Sequence, residues 1–431
     1  MAKIVFLGAG STVFAKNVLG DCLLVPALRD VHIALVDIDG ERLHDSEIMV
    51  RNLSRALGAD AKIESFLDAR KALPGADYVV NAIQVGGYEP ATVTDFEIPK
   101  KYGLRQTIGD TIGIGGIFRA LRTMPVMLDY ARMIEELCPD AWLLNYVNPM
   151  AMITGAMLRA TNVRTVGLCH SVQVCAEFLC RVLDLPADDL RWKIAGINHQ
   201  AWLLEIRRHG TDLYPEIRRR AGLPEYRPYD AVRFEIMRQF GYYVTESSEH
   251  TAEYVPYFIK SAHPELIEQF NIPLDELPRR CEAQIENWSR LREKLLTDKP
   301  LRRIRTEEYC SYILESMETG ETTKIHGNVL NSGLITNLPA NCCVEVPCIV
   351  DRNGVQPCYV GELPPQCAAL NRTNVNVQEL TVEAALTLKR EHIYHAALLD
   401  PHTSSELTID EIRNLVDDMI EGHGRFLPTY H

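Results

Sequence analysis

The chain has 431 residues, 46% hydrophobic and 24% charged, enough apolar material for an ordinary core without disulfides. No run of about 18 apolar residues occurs, so no membrane span is expected. A formal charge of −13, with Lys and Arg interspersed, argues against nucleic acid and anionic membranes as partners.

In chain order, the first half alternates short β-rich runs with longer amphipathic segments. KIVFLG (3–8), HIALVD (32–37), ADYVVNAI (76–83), AWLLNYV (141–147) and RTVGLC (164–169) read as buried strands, dense in Val, Ile and Leu. Stretches 41–57 and 117–136 read as helices between them. That alternation predicts an α/β chain with a Rossmann-like, doubly wound parallel sheet. From about residue 190 the pattern loosens. LRWKIAGINH (190–199) reads as a further strand, and 229–241 and 274–299 as helices. HGNVLNSGLITNLPANCCVEVPCIVDRNGVQPCYVGELP, rich in Gly, Asn, Pro and Val, reads as antiparallel strands and tight turns. Residues 365–398 and 409–422 return to helix. The expected division is a nucleotide-binding domain over 1–190 and a mixed α+β lobe over 191–431 for substrate and oligomerisation. The boundary is soft, with catalytic residues drawn from both.

The 12 cysteines include no CxxC pair, and Cys342 and Cys343 are adjacent, a poor arrangement for a mutual bridge. The start, MAKIVFLGAGST, is not read as a signal peptide. Free thiols in a reducing cytoplasm are therefore expected.

GAGST (8–12) follows a strand and precedes a helical pattern, and Asp37 ends the next strand. In the dinucleotide-binding arrangement Gly8 makes the tight turn and Gly10 lets the pyrophosphate approach the backbone. Ser11 and Thr12 open the helix whose N–H groups face it. Asp37, or Asp39 beside it, would accept from the adenosine ribose and repel a 2′-phosphate, favouring NAD over NADP. Val13 stands where the fingerprint has a third glycine.

Asn148, Cys169, His170 and His199 each fall at or just after a predicted strand end. Strands of one parallel sheet point their carboxyl ends the same way, so these residues can meet. A thiolate from Cys169 and an imidazole from His199 form a mixed S/N set suited to a first-row divalent metal. Blander readings stand beside this one. Cys169 can be a small buried hydrophobe, His199 can cap a strand, and Asn148 can be an N-cap with Pro149 at the first helical position.

GAGST, QVGGYEPATVTDFEIPKKYGLRQTIGDTIGIGG, LNYVNPMA, GLCHSVQ and AGINHQAW together resemble glycoside hydrolase family 4. The likeness continues through YYVTESSEHTAEYVPYFIK, NLPANCCVEVPC, ALNRTNVNVQ and HAALLDPHT, so it spans essentially the whole chain. The resemblance implies a glycosidase that uses NAD and a divalent metal, usually Mn2+, in place of the usual carboxylate pair. Its implied route is oxidation at sugar C3, elimination across C1–C2, addition of water and re-reduction. The motifs point to the members that cleave α-galactosides such as melibiose. The alternatives are an α-galacturonidase, a phospho-α-glucosidase or a net NAD-dependent dehydrogenase. A homodimer or homotetramer is the assembly the family implies.

Carried over by position, Cys169 and His199 resemble the family's metal ligands, and Asn148 its substrate-binding asparagine. His170 occupies the slot where several relatives acting on phosphorylated glucosides carry an Asp proposed as proton donor. A histidine can do that work near neutral pH. For the base at C2, Tyr243, Glu249, His250 and Tyr254 are candidates, and the adjacent pair Glu249 and His250 is preferred. Asp110, ahead of the glycine-rich TIGIGG loop (111–116), is expected to contact substrate or metal-bound water.

Overall fold

The computed structural model describes residues 1–296 and 304–431. Strands β1 (Lys3–Leu7), β2 (His32–Val36), β3 (Lys62–Phe66), β4 (Tyr78–Asn81), β5 (Trp142–Asn145) and β6 (Arg164–Gly167) run parallel in the order β3-β2-β1-β4-β5-β6. This is the doubly wound order, and its topological switch point lies between β1 and β4. Side chains alternate as the pleat requires. Ile4 and Phe6 enter one core layer with Ile33, Leu35 and Val80. Val5 and Leu7 enter the other with Ala34, Val36 and Val79. Helices Thr12–Leu24, Gly40–Leu57 and Tyr309–Thr319 cover the first layer, and Gly113–Leu137 and Ile409–His423 the second.

β3 was not expected from its sequence. Lys-Ile-Glu-Ser-Phe carries two charges, and only Ile63 in it is buried, because this is an edge strand with little apolar demand. Helix Gly113–Leu137 begins four residues before the expected 117, because the Gly-Ile-Gly-Gly turn already coils. The single expected helix over 365–398 is two, Pro365–Thr387 and Arg390–Leu399, broken where Leu388 takes a left-handed φ of 57°. Helix Glu276–Leu295 answers the expected 274–299, whose residues 297–299 lie outside the described ones.

β7 (Leu190–Ile197) and β8 (Gln200–Arg208) form a hairpin, with the short β9 (Thr211–Asp212) and β10 (Tyr243–Val244) on β8. β11 (Thr323–Leu330), β12 (Cys343–Asp351) and β13 (Gly354–Pro357) form an antiparallel meander. The meander joins the parallel strands, and the hairpin joins the meander, in one mixed sheet through a narrow seam. Asn328 of β11 pairs with Gly167 of β6, and Glu345 of β12 with Gly196 of β7. A Cβ on Gly167 would lie 2.5 Å from Thr154 Oγ1 and 2.9 Å from Asn328 Cβ, so the seam closes only around glycine. No described helix is long and apolar enough to cross a membrane.

Candidate active site

At the carboxyl end of β1 the chain turns through Gly8, whose φ is 83° and whose added Cβ would sit 2.6 Å from Ala82 O. A Cβ on Gly10 would sit 2.7 Å from Asp37 Oδ2. Side-chain-free backbone is therefore required at both positions, where the turn packs tightly on Ala82 and Asp37, as the dinucleotide-binding turn does. Asp37 stands beside it, accepting from Gly10 N at 2.6 Å through Oδ2 and from Asp39 N at 2.9 Å through Oδ1. Asp39 is used otherwise: its side chain caps helix Gly40–Leu57, accepting from Glu41 N and Arg42 N. Ser11 is exposed at the start of its helix. Thr12 is buried, its hydroxyl 3.0 Å from that of Ser46, which donates to Ala9 O, so it ties the turn to helix Gly40–Leu57.

Farther along the same sheet edge three ligand-type groups meet. Cys169 follows β6, His199 lies in the β7–β8 turn and Glu246 follows β10. One donor atom from each lies within 4.8 Å of the others. Cys169 Sγ is 3.4 Å from His199 Nε2, which is 3.4 Å from Glu246 Oε2. His199 and Glu246 hold positive φ values of 64° and 47°, turning their side chains inward. Burial, then the Glu246 charge, pushes the Cys169 thiol up. Burial also pushes Glu246 up, but the His199 and His250 rings outweigh it and hold its carboxyl below the usual range. A thiol, an imidazole and a carboxylate crowded this way form a donor set for a first-row divalent cation.

The His199 turn is braced from helix Pro365–Thr387. Asn371 Nδ2 donates to Gln200 O at 2.7 Å and to Gln200 Oε1 at 2.9 Å. Asn374 Nδ2 donates to Gln200 Oε1 at 3.0 Å and Tyr254 O at 3.1 Å. These are the buried asparagines of ALNRTNVNVQ.

Asp110, Asn148 and His250 adjoin the cluster. Asn148 Nδ2 donates to Asp110 Oδ2 at 3.1 Å, while its backbone oxygen accepts from Arg119 Nε at 3.2 Å. Asn148 is not the cap of the next helix, since Pro149 takes that position before Met150–Ala160. Asp110 Oδ1 is buried without a hydrogen bond and lies 3.7 Å from His250 Nε2. Burial pushes Asp110 up, but His250 and Arg119 more than offset it and hold the carboxyl well below its usual range. The His250 ring meets His199 edge-on, with centroids 4.6 Å apart, and its Nδ1 is 3.1 Å from Ser247 Oγ. Burial lowers its pKa, but Glu246 and Asp110 win and raise it.

The remaining candidates spread out. The Glu249 carboxylate is engaged by Arg280 at 2.9 Å. His170 is exposed and hydrogen-bonded to Glu308, which raises its pKa. The Tyr243 hydroxyl donates to Asp230 inside the core beneath β8 and β10. Tyr254 is buried with its ring centroid 6.3 Å from that of His199. Sequence reasoning missed Glu246, Glu308 and Arg119. For Glu246 a signal existed: it precedes His250 by four residues in TESSEH, the spacing that aligns two side chains.

The chain matches the family described as "Family 4 glycosyl hydrolase" over residues 3–185 and its C-terminal domain over 194–403. It is 59% identical over 431 residues to an α-galactosidase of Bacillus subtilis (strain 168), covering 100% of both chains. A crystal structure of a putative glucosidase from Bacillus subtilis superposes with a TM-score of 0.87 at 24% identity, covering 97% of this chain and 99% of that one. A 6-phospho-α-glucosidase from gut microorganisms, solved in complex with NAD and Mn2+, superposes with a TM-score of 0.79 at 21% identity, covering 100% of both.

Proposed function

The chain belongs to the family 4 glycosyl hydrolases, and from that membership we propose that it is an NAD- and Mn2+-dependent α-galactosidase acting on melibiose-type α-galactosides. One observation carries the reading. The S/N/O cluster of Cys169, His199 and Glu246 lies at the same sheet edge as the Gly8–Gly10–Asp37 turn, in a chain alike from end to end to an α-galactosidase.

The residues fit both groups. Glycine at 8 and 10 lets the turn pack against Ala82 and Asp37, where a Cβ would collide, and Asp37 retains carboxylate lone pairs for the ribose. Cys169, His199 and Glu246 would hold the cation. When bound, the nicotinamide supplies a reversible hydride acceptor and the cation a Lewis acid for neighbouring sugar oxygens, which acidifies the proton at C2.

The chain's own groups do the rest. Asp110 and Asn148, joined to one another, orient the sugar hydroxyls, and the unpartnered Asp110 Oδ1 is the acceptor left to receive one. His250, between Asp110 and His199, is assigned to move the C2 proton at Nε2. His170, at the exposed rim and steadied by Glu308, is assigned as donor to the leaving oxygen. Glu249, the other preferred base candidate, is engaged by Arg280 instead. Residues 1–190 as the nucleotide half, 191–431 as the substrate half, assembly as a homodimer or homotetramer and work in the cytoplasm belong to the same reading.

Hydrolysis of melibiose in heavy water tests it. Deuterium at C2 of the released galactose is the expected result. Protium retained there through complete turnover would exclude removal of the C2 proton. Steady NADH accumulation with a hydroxy acid would instead identify a net dehydrogenase.

A further inference from the structure

Helix Ser248–Glu253 ends on an acid that the assignments above leave without a role. Glu246, His250 and Glu253 follow one another at spacings of four and three. Glu253 is only 3% exposed, and backbone N–H groups occupy both of its carboxylate oxygens. Oε1 accepts from Thr107 N at 2.6 Å and Gly109 N at 3.1 Å, and Oε2 accepts from Gly109 N at 3.0 Å. Thr107 Oγ1 adds a bond to Glu249 O at 2.8 Å, so the same helix grips the loop twice.

The gripped residues lead directly into Asp110. Gly109 carries a φ of 54°. Beyond it, the Asp110 carboxylate has one hydrogen bond, from Asn148, and a longer approach from His250 at 3.7 Å. A buried carboxyl group accepting from two backbone N–H groups is a firm anchor for the loop that carries them. Burial has raised the Glu253 pKa to about 7 against the opposing pull of the Gly109 and Thr107 N–H groups.

We propose that Glu253 is a positioning residue: by holding the Thr107 and Gly109 backbone it sets where Asp110 meets Asn148 and His250. The segment that supplies Glu246 to the metal cluster thereby also fixes the sugar-binding carboxylate. Cation and sugar sides of the site are registered to one another by seven residues of chain, 246–252, and this anchor.

The activity readout rests on the α-galactosidase reading; a second readout does not. Glu253→Ala and Glu253→Gln are prepared alone and with Asp110→Asn, and assayed as the NAD- and Mn2+-loaded enzyme on an α-galactoside. Glu253→Ala lowers kcat/KM by about 10- to 100-fold, and Glu253→Gln, which keeps one acceptor oxygen, by less. In the Asp110→Asn background either change costs no more than about a further twofold. Amide hydrogen exchange at Thr107 and Gly109 in the cofactor-free chain accelerates in both variants, while NAD affinity is unchanged. Losses that simply multiply with Asp110→Asn, or exchange that stays slow, overturn the proposal. Should Glu253→Ala fail to fold, the Gln variant carries both measurements; failure of both to fold makes Glu253 a fold residue and also overturns it. A wild-type chain inert toward every α-galactoside sinks the functional reading, and exchange still decides Glu253.

Discussion

His199 and Glu246 share an uncommon backbone state. Neither is glycine, yet both sit in left-handed φ, a conformation that costs of order 1 kcal/mol or more and persists only where surroundings enforce it. Here it aims two ligand-type groups at one point, with Cys169 Sγ as the third. Replacing a ligand while keeping its bulk isolates that role. Glu246→Gln should weaken Mn2+ binding at least about tenfold with NAD affinity unchanged, as followed by titration calorimetry. Cys169→Ala should abolish activity and metal retention with NAD binding kept. Wild-type-like Mn2+ affinity in either variant would remove that residue from the ligand set. Cys169 and His199 were legible because each ends or follows a strongly β-patterned run. Glu246 was hidden in a polar stretch, TESSEH, where charge normally means solvent.

The β7–β8 hairpin and helix Pro365–Thr387 act as one element of the site. The hairpin turn carries His199, and Asn371 reaches across to satisfy Gln200 O and Gln200 Oε1, while Trp202 Nε1 donates to Asn371 Oδ1 at 3.1 Å. Asn371→Ala strands several buried polar groups at once, at about 1–3 kcal/mol for each. The expected outcome is a clear loss of unfolding free energy in denaturant titration, together with weaker Mn2+ binding. Unchanged stability would mean that water replaces the amide without cost. Helical periodicity announced this helix, but not that two of its asparagines face inward. Polar residues inside an amphipathic pattern read as surface until a buried partner is known. Edge strand β3 was invisible for the converse reason, since its two charges are tolerated where only one face is covered.

Across the whole molecule, the described parallel strands meet the antiparallel ones at Asn328–Gly167, and the meander meets the β7–β8 hairpin at Glu345–Gly196. Cys169 lies two residues beyond one seam pair and His199 three beyond the other, so the seam sets their separation. The buried Glu345, whose carboxyl burial pushes far above its usual range, accepts from Asn328 at 3.2 Å inside it. Gly167→Ala would place a methyl 2.5 Å from Thr154 Oγ1 and 2.6 Å from Met150 Sδ. Strand β6 must then shift, and the prediction is a chain that still binds NAD but loses Mn2+ affinity about tenfold or more, a sub-ångström displacement being enough. Retained Mn2+ affinity would show that the seam is not what spaces the ligands.

By itself the amino-acid order determined the βαβ alternation, the glycine turn with its acid one strand later and the family likeness. Each is written in short-range pattern: side-chain period, backbone sterics at Gly8 and Gly10, motifs of a few residues. Only the tertiary structure decided that Glu246 joins Cys169 and His199, that Glu249 turns to Arg280 while His250 faces Asp110, and that Tyr243 is spent on Asp230. Those outcomes depend on distances between strand ends more than 70 residues apart in the chain, as Cys169 and Glu246 are. No local periodicity encodes such a distance; packing of the whole sheet sets it.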